Sequence, residues 1–234
     1  MGHPISNFIF RTAFPRPLRS IFFIQVQEII HQFWEGLKAT SLIEFIAVIA
    51  GIVSVIFSRK ENILVFPTGL INTILFIYLS IKGQLFGEAS VNFYYTVMSI
   101  YGWWMWSRRD KEHHIILHIA PSTRREWVHQ LVFFAVFYVV IFLVLHWMQQ
   151  AFAPDAIPWA DAFASATAYT GMWLMARKKI ESWYWWIATN IASIPLWFVK
   201  GYVFTSVQFV VLLLLAVAGL IEWKRRYRIS KTHA

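Results

Sequence analysis

Apolar stretches close to twenty residues long recur from position 42 to position 223, and no other feature restricts the fold of this chain as strongly. A helix needs about 20 such residues to cross the roughly 30 Å hydrocarbon core of a bilayer, so several membrane-spanning helices are expected. The spans predicted are Leu42 to Phe57, Ile63 to Ile81, Glu88 to Trp106, Trp127 to Met148, Trp159 to Ala176, Trp183 to Lys200 and Val203 to Trp223. The expected class is therefore an all-α integral membrane protein with seven transmembrane helices. Composition agrees: 58% of residues are hydrophobic and only 14% charged, which an ordinary soluble domain does not show. No cysteine occurs, so disulfides, thiolate metal sites and a cysteine nucleophile drop out together.

The charge pattern orients the spans. A net charge of +9 in a soluble protein would point to nucleic acid, but here Lys and Arg gather between the apolar runs, and topology accounts for them. Arg108, Arg109, Lys111, Arg124 and Arg125 lie between the third and fourth spans, Arg177 to Lys179 between the fifth and sixth, and Lys224, Arg225, Arg226, Arg228 and Lys231 in the tail. These segments are expected on the cytoplasmic side of the membrane, with the C-terminus inside and the first span starting outside. Residues 1–40 are less apolar. Glu28, His31, Gln32 and Glu35 fall on one face of a helix over Ser20 to Ala39, predicting an amphipathic helix on the interface or packed on the bundle. An eighth span is the alternative, and the segment is a poor match to a signal peptide because Gln and Glu interrupt it.

Laying Asn72 on Asn190, a shift of 118 residues, also superposes Arg59-Lys60 on Arg177-Lys178 and Lys82-Gly83 on Lys200-Gly201. One residue of adjustment later, Gly102 meets Gly219 and Arg108-Arg109 meets Arg225-Arg226. Similar loop lengths with the same charge bias would give matches of this kind; a true duplication gives them at a common spacing. The expected organisation is an N-terminal segment 1–40, a three-helix repeat 41–107, a cytoplasmic loop with an inverting helix 108–158, a second three-helix repeat 159–223 and a tail 224–234. One inverting helix between two units makes them parallel, a 3+1+3 bundle, and transporters of such construction hold solute near the midplane between repeats.

Candidate binding residues follow from the helix faces. Trp183, Trp186 and Asn190 share a stripe with Ile194 and Trp197, while Trp185 points away. Trp183 alone reads equally as an interfacial anchor. Asn190 and Asn72 lie mid-span, where an amide must find a partner in protein or water; the pair is read as holding a polar solute, with a helix-to-helix hydrogen bond as the alternative. Glu88, Asn92, Tyr95 and Ser99 make a polar stripe on the third span, and Gln208 adds an amide on the seventh. Asp161, Ser165 and Tyr169 form a series on the fifth span; Glu88, Asp161 and Glu44 lie near outer ends, where headgroup solvation accounts for them. No carboxylate sits mid-span, which argues against proton or sodium coupling. Pro67 and Pro195 are expected to bend their helices. In the stretch of His113, His114 and His118 the pair four apart, His114 and His118, has neither a third ligand nor a carboxylate motif, so no metal is expected, and no nucleotide-binding loop or nucleophile elbow occurs.

The stretches PTGLINTILFIYLSIKGQLFGEA, VNFYYTVMSIYGWWMW and WYWWIATNIASIPLWFVKGYVFTSVQFVVLLLLAVAGLIEWKRR resemble the bacterial PnuC vitamin transporters, over about residues 40 to 228. The W-x-x-W motif of those that carry nicotinamide riboside is matched by Trp183 and Trp186, and its following amide by Asn190. The resemblance implies a SWEET-like seven-helix core, facilitated diffusion with trapping of the riboside by cytoplasmic phosphorylation, and a homotrimer. Relatives carrying thiamine or riboflavin keep another vitamin open as substrate, and an integral membrane enzyme or scaffold is the more remote alternative. No cofactor and no nucleic-acid partner are expected.

Overall fold

The computed structural model describes residues 16–82, 86–112, 115–149 and 157–232. Among them lie eight helices: α1 Arg16–Ala39, α2 Leu42–Arg59, α3 Val65–Lys82, α4 Phe86–Ser107, α5 Arg124–Gln149, α6 Pro158–Ala176, α7 Ser182–Val199 and α8 Val203–Thr232. The chain divides after Thr40 into two compact units. In the first, α1 exposes Glu28, His31, Gln32 and Glu35, with Gln32 Nε2 donating to Glu28 Oε1 at 2.9 Å and Lys38 paired with Glu35 at 3.1 Å. Ile30 and Trp34 are exposed too.

A helix occupies each segment expected to span, but only α2, α3, α5 and α8 are long and apolar enough to cross a membrane by length and composition. The other three, α4, α6 and α7, are diluted by Tyr, Trp, Ser and Thr, and α6 is the most enclosed by protein, with twelve buried residues including Thr167, Tyr169 and Thr170. A helix sheathed by other helices does not need lipid-grade side chains.

Helix ends come from local chemistry. Ser41 caps α2 by accepting from the Glu44 amide, and Thr123 and Glu126 close a reciprocal capping box on α5. Pro158 opens α6 at a position where no amide is missed. Pro67 falls in the first turn of α3 and also costs no helical hydrogen bond, whereas Pro195, inside α7, does remove one.

Within the second unit α2, α3 and α4 pack in succession, as do α6, α7 and α8, while α2 lies against α8, α4 against α6, and α5 on α6. Helix limits repeat at an offset of 117 residues: Arg59 and Ala176, Val65 and Ser182, Lys82 and Val199, Phe86 and Val203. Exchanging the two groups turns the α2–α8 contact into the α6–α4 contact, so the packing has the same internal symmetry as the sequence. The register differs from the 118 read between the asparagines. At 117, Asn72 stands opposite Thr189, and Asn190 opposite Thr73.

The core lies at the end of the bundle where α2, α4, α6 and α8 finish. Phe66 meets Trp106 edge-on at 5.0 Å and Trp183 meets Trp223 edge-on at 5.5 Å, with Trp106 and Trp223 6.2 Å apart. Gly102 and Gly219 are the floors on which Phe66 and Trp183 rest; a Cβ at either would overlap the ring. Trp106 Nε1 donates to the Ala176 carbonyl at 3.2 Å and Trp223 Nε1 to the Ser58 carbonyl at 3.0 Å. Each group thus caps a helix of the other.

The turns after α2, α6 and α7 share one geometry. Asn62, Lys179 and Tyr202 donate to the carbonyls of Phe57, Leu174 and Trp197, five residues back, and the residue before each has a left-handed backbone. After α7 that residue is Gly201, at φ 84°; after α2 and α6 it is Glu61, at 58°, and Lys178, at 51°. A side chain there costs about 1–2 kcal/mol. The loop following α4 is pinned to the turn after α6: Ala120 exchanges backbone bonds with Lys178 and Ile180, and the Glu181 carboxylate accepts from the Ser122 amide and hydroxyl. Gln130 continues this chain, donating to Ser122 Oγ at 2.7 Å and accepting from Trp185 Nε1 at 3.1 Å.

Candidate functional site

Tyr95 of α4, Tyr169 of α6 and Trp186 of α7 converge where the two helix groups meet. The Tyr95 ring lies 6.2 Å from Trp186 and 6.2 Å from Tyr169, and Tyr94 stacks on Tyr169 at 4.2 Å while its hydroxyl donates to the Tyr169 carbonyl at 3.0 Å. Gly171 lets Trp186 lie flat on α6, since a Cβ there would come within 3.3 Å of the indole. Tyr169 was expected only as a member of the polar series on its helix, and Tyr94 and Gly171 were not expected at all; the doubled tyrosine in VNFYYT and the small residues of α6 were the available signals.

Asn190 sits one turn beyond Trp186 on α7. It is only 3% exposed, yet its side chain has no hydrogen-bond partner among the described residues. Tyr95 Oη and Trp186 Nε1 are likewise without protein partners there, and neither is sealed off. Buried polar groups are nearly always bonded, and Asn190 departs from that rule among the described residues, beside two half-buried aromatic residues whose polar tips are free there. Glu88 is exposed at the open end of α4, within electrostatic reach of Tyr95, Tyr169, Lys200 and Asp161.

The other expected residues stand elsewhere or are otherwise engaged. Trp183 is 1% exposed within the apolar cluster of Phe66, Trp106 and Trp223, and its Nε1 is the one sealed donor without a partner among the described residues. Asn72 Nδ2 donates to the Ala47 carbonyl on α2 at 2.8 Å, fitted against Gly51. Asn92 Nδ2 is spent on the Glu88 carbonyl at 2.9 Å, leaving its oxygen, and Gln208 is half-buried on α8 with no bond among the described residues. His113 and His114 lie outside the described residues; among the described ones no group of three potential metal ligands occurs.

Residues 41–225 match the family model of the nicotinamide mononucleotide transporters. The chain belongs to that family. It is 27% identical over 203 residues to the nicotinamide riboside transporter PnuC of Escherichia coli strain K12, covering 78% of this chain and 85% of the relative. The PnuC of Neisseria mucosa is 25% identical over 221 residues, covering 88% and 79%, and the riboflavin/roseoflavin transporter RibM of Streptomyces davaonensis 24% identical over 181, covering 77% and 83%. A crystal structure of the vitamin B3 transporter PnuC superposes with a TM-score of 0.64 at 22% identity, covering 86% of this chain and 91% of that one, and shows the same fold. These are homologous membrane transporters and not enzymes.

Proposed function

We propose that this protein carries nicotinamide riboside across the bacterial inner membrane by facilitated diffusion with alternating access, the riboside being trapped inside by phosphorylation. The observation that carries the reading is Asn190: a buried amide without a partner among the described residues, one turn from Trp186 and its Tyr95 neighbour. A cationic pyridinium is attracted to indole and phenol faces by about 0.5–2 kcal/mol each, and a carboxamide pairs with an amide donor and acceptor. The riboside is favoured over its phosphorylated form, because buried Lys178 and half-buried Lys179 and Lys200 are already paired, with Glu61, Glu126 and Asp161. Trp183, Trp186, Asn190, Asn72, Asn92, Tyr95, Gln208 and Glu88 form the proposed binding set, with Trp186, Asn190 and Tyr95 at its centre.

The proposed architecture has α2 to α8 as seven spans in a 3+1+3 arrangement, α5 inverting between the two groups. Reciprocal α2–α8 and α4–α6 packing supports it. The Lys- and Arg-rich end, with the C-terminus, is placed in the cytoplasm. A homotrimer is proposed as well; the apolar outer face of α5, exposed along Val132, Val136, Val140 and Leu143, offers surface for lipid or sister copies.

Counterflow in proteoliposomes tests this: labelled riboside should exchange against internal riboside with no ion gradient. No exchange, or exchange abolished by a protonophore, overturns it. Kinship to the riboflavin/roseoflavin transporter gives the second reading, and competition by riboflavin but not by the riboside would select it.

A further inference from the structure

Three buried or half-buried lysines are held by carboxylates at nearly equal distance, and they differ in what they join: Lys179 meets Glu126 of α5 at 2.7 Å. Lys200 Nζ meets Asp161 Oδ1 at 2.7 Å and lies 5.4 Å from the Trp197 ring; all three residues belong to the α6–α8 group. Lys178 Nζ meets Glu61 Oε1 at 2.6 Å and lies 4.7 Å from the Trp106 ring. Glu61 and Trp106 belong to the α2–α4 group, so this clasp crosses the seam. Arg226 of α8 also approaches Glu61, at 3.7 Å.

Two further bonds cross the seam at the same level, in opposite directions: Trp106 Nε1 to Ala176 and Trp223 Nε1 to Ser58. The backbone marks the place as well. Glu61 and Lys178 occupy the left-handed turn position that glycine fills after α7, and strain held at paired positions points to a role beyond making the turn. At the opposite end no ion pair joins the two groups among the described residues, and Glu88 is exposed.

We propose that Glu61, Lys178, Trp106 and Trp223 form the gate that closes the basic end of the bundle during transport and parts to release solute there. The proposal rests on the transport reading above. When two groups rock, contacts inside each persist while contacts across the seam break at one end. A desolvated ion pair suits such a latch, because opening returns to both charges the hydration that closure removed. Lys178, 3% exposed, is held in that desolvated state.

The chain has no cysteine, so Ser182→Cys places one thiol behind the gate, at a fully buried position beside Trp183. In full-length protein in lipid nanodiscs, Glu61→Gln should raise the rate of maleimide modification at that thiol by about fivefold or more. Glu61→Gly should do the same although its backbone suits the turn better, whereas Asp161→Asn, which breaks a pair inside one group, should leave the rate within about twofold. If Glu61→Gln does not fold, Trp223→Phe carries the test, leaving a smaller aromatic ring while removing the bond to Ser58. Unchanged rates in the gate variants overturn the proposal, as do an equal rise in Asp161→Asn or a rise only where the cooperative melt is lost. Thiol rates need no substrate: absent riboside binding with gated rates sinks the transport reading alone, and normal riboside binding with ungated rates sinks the gate alone.

Discussion

The two mid-span asparagines separate at the level of single atoms. Asn72 spends its donor on the Ala47 carbonyl, and Asn190 spends none. Replacing Asn72 by Ala should lower the melting temperature by the equivalent of about 1 kcal/mol, the net worth of one hydrogen bond, with little effect on riboside affinity. Asn190→Ala should do the reverse. Thermal stability without ligand should hold or rise, because an unpartnered buried amide is removed, while the riboside Kd weakens about tenfold by calorimetry. Equal destabilisation in both variants would make Asn190 a structural amide. The sequence displayed both asparagines and their depth but not their bonds, because whether an amide faces a backbone carbonyl or an open space depends on residues 25 positions away, as with Ala47. Trp183 shows the same limit. Helical spacing places it on the stripe of Trp186 and Asn190, but its contacts come from Gly219 and Trp223 of a different helix.

Among the elements, α4 and α8 cross the core by virtue of a missing side chain. Gly102 and Gly219 admit Phe66 and Trp183 so closely that an added methyl would overlap ring carbons. Gly102→Ala and Gly219→Ala should each destabilise by about 1–3 kcal/mol, read as a lowered melting temperature in detergent, since a ring between two helices has no free rotamer to take. Gly171→Ala is milder in packing, at 3.3 Å from the Trp186 indole, and its first effect should be on riboside affinity. The helices themselves were legible from hydropathy because lipid imposes length. Each lies within a few residues of the expected run, except α8, which continues to Thr232 beyond the apolar stretch. Less legible was the strap from Glu181 through Ser122 and Gln130 to Trp185, which joins three separate segments. Gln130→Ala should cost about 1–3 kcal/mol, as it strands the Trp185 indole donor in a buried setting.

For the molecule as a whole, a symmetric scaffold carries an asymmetric set of side chains. At the 117 offset, Trp183 and Trp223 are answered by Phe66 and Trp106, so the clasp end is repeated in kind. The proposed site is not. Trp186 is answered by Gly69, Asn190 by Thr73, Tyr169 by Ile52 and Tyr95 by Leu212. Thr73 accepts a bond from the Thr96 hydroxyl at 2.8 Å, and at Gly69 a Cβ would come within 3.1 Å of Ser54 Oγ, so the counterparts of Asn190 and Trp186 are engaged by protein. Reading Asn72 against Asn190 at 118 suggested two like contributions to one midplane site; in the packing register the proposed residues Trp186 and Asn190 of α7 and Tyr95 of α4 have no like counterpart in the other group. Calorimetric titration should therefore return one riboside per chain, with Trp186→Ala abolishing measurable heat and Thr73→Val leaving the Kd within about threefold. Two sites per chain, or equal losses from Thr73→Val and Trp186→Ala, would mean that the duplication extends to recognition and that the asymmetry of these side chains does not govern binding.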